Sequence, residues 1–127
     1  MSATEYATTP SIRIESLADW QGQSVLDQTG EKLGSLDAIY YDVVRDEPTF
    51  IAVKSGTLSK KATLVSLSGA VAGRDYIRVK LVKSEFKGLP SHDPDTELSA
   101  EDEQDAYGFF GLQYTAPAPG ARRLARR

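Results

Sequence analysis

The chain has no cysteine among its 127 residues. That removes disulfides, thiolate metal sites and cysteine nucleophiles together, and it leaves the redox compartment unread. It has a single histidine, His92. Any Ser–His–Asp mechanism would have to use it, yet it sits in the polar stretch SHDPDTE, and no G-x-S-x-G elbow accompanies it. One histidine is also too few for the usual zinc sites. His92 therefore reads as a surface or loop-capping side chain. No apolar run approaches the ~20 residues that span a bilayer. The opening MSATEYATTPSIRIES lacks a basic segment leading into an apolar one, so no secretory signal is expected and the cytoplasm is the default.

Net charge is −3, unevenly spread. Four of the 15 Lys and Arg lie in the closing GARRLARR, which holds no acid, so the body ahead of it is distinctly acidic. An acidic body is a poor electrostatic match for nucleic acid. Arg122, Arg123, Arg126 and Arg127 are candidate contacts to an acidic partner, RNA or anionic lipid. The plainer reading is a solvated, disordered end.

What is present is a series of short apolar runs set apart by turn residues. SVLD, KLGSLDAIYYDVV, TFIAVKSG, TLVSLSGA and YIRVKLV are rich in strand formers, and QTGE, RDEP and GRD punctuate them. In the last run Ile77, Val79 and Leu81 alternate with Tyr76, Arg78 and Lys80, which places the first set on a core and the second in water. In the longest run the alternation breaks at Ile39 and Tyr41, as expected of a strand covered on both faces. Five or six such strands at about ten-residue spacing suggest a small antiparallel barrel, in which closure removes exposed edges. Before them, SLADWQG predicts one helical turn from Ser16, pinning Trp20 to the core and stopped by Gly22.

Gly30 and Gly34 pose a choice between a phosphate loop and a turn. A phosphate loop needs G-x-x-x-x-G-K-[ST] opening a helix. Here the spacing is G-x-x-x-G, Lys32 precedes the second glycine, and a strand-forming run follows. No helix N-terminus offers free N–H groups to an anion. Gly30 then supplies a hairpin turn, and Gly34 a bend or a close approach to another backbone. No cofactor is implied.

Beyond Val82 the pattern changes. KSEFKGLP is a brief helical turn or extended exit. LSAEDEQDAYGFFGLQY predicts a helix capped by Ser99, with Asp102 in the capping-box position, acids in its first turn and a stop at Gly108. The same acids tested as a calcium loop from Asp93 place Leu98 where glycine is needed and Gln104 where a bidentate acid is needed, so no metal site is expected. Asp46 and Glu47, a paired acid in RDEP, read as a solvated turn. Tyr107, Phe109, Phe110 and Tyr114 form the least ordinary cluster. They either lay a cover over the chain's own barrel or offer a surface to a second copy or another protein. APAPG follows as a stiff linker.

These segments resemble the PRC-barrel family. GQSVLDQTGEKLG matches its opening pattern G-x-x-V-x-D-x-x-G-x-x-L-G through Gly22, Val25, Asp27, Gly30, Leu33 and Gly34, with Asp42 closing the next strand. FIAVKSG and ATLVSLSGA resemble the later strands, although Ser66 stands where the family often has proline. The exit and C-terminal extension look like those of stand-alone bacterial members. The resemblance implies a mainly β protein: a small six-stranded antiparallel barrel over residues 16–90, after a flexible 1–15. A helical and aromatic extension at 91–115 and a disordered tail at 116–127 complete the division. Members include the cytoplasmic domain of the photosynthetic reaction-centre H subunit and the C-terminal domain of a ribosome maturation factor. The resemblance carries over no catalytic residue. With no thiol, a lone loop histidine and no phosphate loop, the expectation is a non-enzymatic interaction module or scaffold whose aromatic arm makes a homodimer or other homo-oligomer. An RNA- or ribosome-associated factor and a membrane-surface accessory protein using the basic tail are the alternatives.

Overall fold

The computed structural model describes residues 21–55, 61–93, 98–114 and 123–126. The expected turn around Trp20, the residues read as a flexible N-terminus, the APAPG linker, Arg122 and Arg127 lie outside them. Among the described residues there are eight strands: β1 (Ser24–Leu26), β2 (Lys32–Asp42), β3 (Glu47–Lys54), β4 (Ala62–Ser66), β5 (Val71–Ala72), β6 (Tyr76–Arg78), β7 (Ser91–His92) and β8 (Leu124–Arg126). Two helices accompany them among the described residues, α1 (Lys83–Lys87) and α2 (Ala100–Phe109).

The strands make one mixed sheet in the order β5-β6-β1-β2-β3-β4-β7, with β8 added against the far half of β2. β1 and β6 run parallel, and the other pairings are antiparallel. The mainly β expectation holds. The six-stranded closed antiparallel barrel is corrected on three counts: eight strands form, one pair is parallel, and the described pairings do not close. The ends of the path explain the last. β5 and β7 hold two residues each, too short a ladder to bridge the remaining gap. The chain also turns into α1 soon after β6 instead of extending that strand. The two strands beyond the expectation, β7 and β8, come from sequence assigned to the extension and to the disordered tail. Residues 124–126 of that tail are built into the sheet.

Both faces of the sheet's centre are covered. On one face Val25, Leu36, Ile39, Ile51, Val53, Val65, Ile77 and Val79 form a cluster that α1 closes with Phe86. On the other Tyr40, Phe50, Ala52, Ala62 and Leu64 lie beneath Leu98, Ala106 and Tyr107 of the C-terminal arm, together with Leu124 of β8. β3 alternates between the two clusters from Phe50 to Val53, which is why it reads as a continuous apolar run. β2 owes its irregular pattern to a bulge. Leu36 opposes Val53 and Ala38 opposes Ala52, so Asp37 is the extra residue. An inserted residue shifts the pleat by one, and Leu36 and Ala38 thereby face opposite clusters.

The glycines act on backbone geometry. Gly30 has φ +95° in the β1–β2 turn, and its N–H donates to the Asp27 carbonyl. Gly34 pairs with Val25 on β1, and a Cβ there would overlap the Lys54 carbonyl. The backbone of β3 occupies the space a side chain would need. Gly22 also has positive φ, +87°.

Helix α2 begins as expected. Ser99 accepts from the Asp102 N–H, and the Asp102 side chain accepts from the Ser99 N–H. It runs past the expected stop to Phe109, and the terminating glycine lies three residues further on than expected. Gly108 is inside the helix, and Gly111, with φ +67°, terminates it. The Leu112 N–H donates to Tyr107 O, and the Gly111 N–H to Gly108 O, a six-to-one and five-to-two pair that closes the helix.

Candidate functional site

The C-terminal arm meets the sheet around two buried carboxylates. Asp42 stands at the end of β2, and its Oδ1 accepts the Val44 and Arg45 backbone N–H groups, which fixes the turn into β3. Its Oδ2 accepts the Tyr107 hydroxyl at 2.6 Å from α2, and the Arg123 Nε lies 3.0 and 3.2 Å from the two oxygens. Glu103, on the inward face of α2 one turn before Tyr107, takes the other side. Its Oε1 accepts the Tyr114 hydroxyl and the Arg123 N–H, and its Oε2 accepts the Leu124 N–H at 2.8 Å. The Arg123 guanidinium carbon lies 5.2 Å from the Tyr107 ring centre and 5.7 Å from that of Tyr114, within the range of cation–π attraction. Asp42, Glu103, Tyr107 and Arg123 are all buried.

The electrostatics follow from this packing. Burial works to raise the Asp42 carboxyl, but the Tyr107 hydroxyl, the two turn amides and Arg123 outweigh it and hold its pKa below the ordinary carboxylate value. Tyr107 moves the other way. Burial raises its pKa, and its hydrogen bond to Asp42 and the negative charge there add to the rise. The pair is thus a fixed phenol donating to a fixed carboxylate at neutral pH.

Asp27 does similar work at the opposite end of the fold. Its Oδ1 accepts from the Thr29 N–H, the Thr29 hydroxyl and the Glu31 N–H, and its Oδ2 from the Lys83 N–H. Burial opposes ionisation there too, and these four bonds prevail, keeping the pKa low. One side chain ties the β1–β2 turn to the start of α1.

The second feature is an apolar groove of about 50 Å³ between β7, the α1–β7 connection and α2. Leu64, Leu98, Ala106 and Phe110 line it, His92, Asp102 and Asp105 stand on its polar side, and Phe109 lies at its edge with 56 % of its surface exposed. The His92 Nε2 is 3.4 Å from the Tyr40 hydroxyl, and the histidine is half-buried in β7.

The structure separates the predicted site residues. Of the four aromatics, Tyr107 is buried, Phe110 packs against both clusters, Tyr114 against the second, and Phe109 alone is exposed. Phe50 meets Tyr107 edge-on at 5.2 Å and Phe110 at 6.0 Å. The arm therefore covers its own sheet. Of the tail arginines, Arg123 is an internal partner of Asp42 and not an outward contact; the Arg126 backbone pairs with Tyr40. Glu103 and Leu124 escaped the sequence reading. The signal for Glu103 was present: it shares a face with Ala106, Tyr107 and Phe110 at spacings of three and four. Leu124 gave only the hint of one large apolar residue among arginines. Among the described residues, no group of three His, Asp or Glu is placed to hold a metal ion, and no helix is long and apolar enough to cross a membrane.

A mixed sheet sheathed on both faces, with its buried acids bonded to backbone amides and tyrosine hydroxyls, defines the class: a small mainly β module. The chain belongs to the PRC-barrel domain family, whose model matches residues 13–86, more than half of its length. The match stops within α1, so β7, α2 and β8 lie beyond it. No curated protein matches the chain.

Proposed function

We propose that the chain is a non-enzymatic protein-interaction module of the cytoplasm that self-associates through the face bearing Phe109. The exposed Phe109 ring at the edge of an apolar groove carries this reading. A large aromatic beside a cleft, with carboxylates at its border, has the make-up of an interface anchor and its polar rim. The chemistry of the acids supports it. Asp27 and Asp42 accept hydrogen bonds from backbone amides that hold their pKa low, and carboxylates held in this way are poor proton acceptors for a substrate. The tail-based readings, binding to RNA or to anionic lipid, lose Arg123 to Asp42.

Multi-angle light scattering of the wild type and Phe109→Glu over a range of concentrations tests this. The expected result is a wild-type mass above that of the 13.8 kDa chain, falling to the monomer in the variant. A monomeric wild type throughout, or an unchanged mass in Phe109→Glu, removes self-association by this face. Phe110 packs inward on both clusters, so a substitution there would disturb the fold and not this face.

A further inference from the structure

We propose that the slot between the far half of β2 and the inward face of α2 is a peptide-binding site. Its ligand is an extended segment with arginine followed by leucine, and the chain's own Arg123–Arg126 occupies it in cis.

The contacts described for the segment are of a kind made as well by a separate peptide. Leu124, Ala125 and Arg126 pair antiparallel with Asp42, Tyr41 and Tyr40, and the Val43 N–H donates to Arg123 O at 2.9 Å. This is strand addition to a sheet, a common way of holding extended peptides. Glu103 accepts the backbone N–H groups of Arg123 and Leu124 with its two oxygens, which gives affinity without regard to side chain. Specificity comes from two adjoining recesses. One takes the guanidinium between Tyr107 and Tyr114, against Asp42. The other takes the leucine into the apolar cluster with Tyr40 and Phe50.

Charge and sequence agree with this ligand. Asp42 and Glu103 bring two buried carboxylates to a segment that brings one buried guanidinium, so the slot favours a cationic occupant. In ARRLARR only Arg123 and Leu124 stand in the order arginine then leucine. Tyr114 and Arg123 both bond Glu103 Oε1, so the intervening chain leaves and returns at one carboxylate, and the tail competes at high effective concentration. Asp42, Glu103, Tyr107 and Tyr114 do not line the groove beside Phe109, so the slot stands or falls apart from self-association through that face.

The test uses full-length chain carrying Leu124→Asp, which vacates the slot, with circular dichroism to verify folding. Leu124→Ala serves if the aspartate variant does not fold. A labelled peptide of residues 121–127 is titrated against it and followed by fluorescence anisotropy, in salt sufficient to screen attraction between exposed charges. Saturable binding is expected, about tenfold or more tighter than to the wild type, whose own tail blocks the slot. Binding should vanish when the peptide carries Arg123→Ala or Leu124→Asp. No binding to the folded variant, equal binding to both chains, or indifference to either peptide change would overturn the proposal.

Discussion

Asp42 is the residue on which most local structure converges. It holds a turn, receives a phenol and faces a guanidinium. Its partners differ in their freedom to respond. If Asp42 is lost, Arg123 can return to water by undocking the short β8. Tyr107 cannot, because it lies on the inward face of α2 against Phe50. Asp42→Ala should therefore cost at least the ~1–3 kcal/mol of a buried hydroxyl left without its acceptor. Tyr107→Phe, which leaves Asp42 its amides and Arg123, should cost less. Urea unfolding of the two single variants and the double variant measures this. A cycle in which the two changes simply add would show that the hydroxyl and the carboxylate do not act as a pair.

At the scale of the element, two glycines in regular structure should respond in opposite ways. Gly34 lies in β2 beneath the Lys54 carbonyl, and Gly108 in α2 has nothing within 4 Å of where a Cβ would stand. Gly34→Ala should lower stability by about 1–3 kcal/mol through overpacking against backbone that cannot rotate away. Gly108→Ala should raise it by about 0.5–1 kcal/mol, since alanine loses less conformational entropy in a helix. Thermal unfolding distinguishes the two. A destabilised Gly108→Ala would mean that the helix relies on breaking at that point. The start of α2 was legible because capping is local chemistry, Ser99 with Asp102. Its end was not. Gly108 and Gly111 both suit a stop, and the choice fell where Leu112 could pack on the arm's own cluster.

At the scale of the molecule, two carboxylates held below their ordinary pKa make stability depend on pH in a defined direction. The unfolded chain takes up protons at Asp27 and Asp42 before the folded chain does, near the ordinary value of 3.8. Their contribution is full above that value and is lost as pH falls through the lowered folded values. The melting temperature should be flat between about pH 5 and about pH 9 and decline on acidification below that window, with Asp27→Asn and Asp42→Asn each reducing the slope. Tyr107 acts at the other limit. Its raised pKa stabilises the fold below the ordinary phenol value of 10.0 and ceases to do so as pH climbs beyond it, so Tyr107→Phe should weaken the alkaline loss. An acid slope identical in wild type and both Asp variants would place the titrating groups elsewhere.

The sequence by itself determined the mainly β character, the turn at Gly30, the alternating face of Ile77, Val79 and Leu81, the cap at Ser99 and the family. These are local or periodic properties, set by backbone sterics and the two-residue pleat, and they depend on near neighbours along the chain. Tertiary structure decided the rest: that the sheet stays open, that β1 lies parallel to β6, that Tyr107 faces inward while Phe109 does not, and that Arg123 belongs to Asp42, 81 residues away. An arginine in a polar tail and an acid at a strand end look solvated one at a time. Only when α2 brings Tyr107 and Glu103 over the same point of β2 does burying the charge become favourable, because the partners that replace water come from three separate stretches of chain.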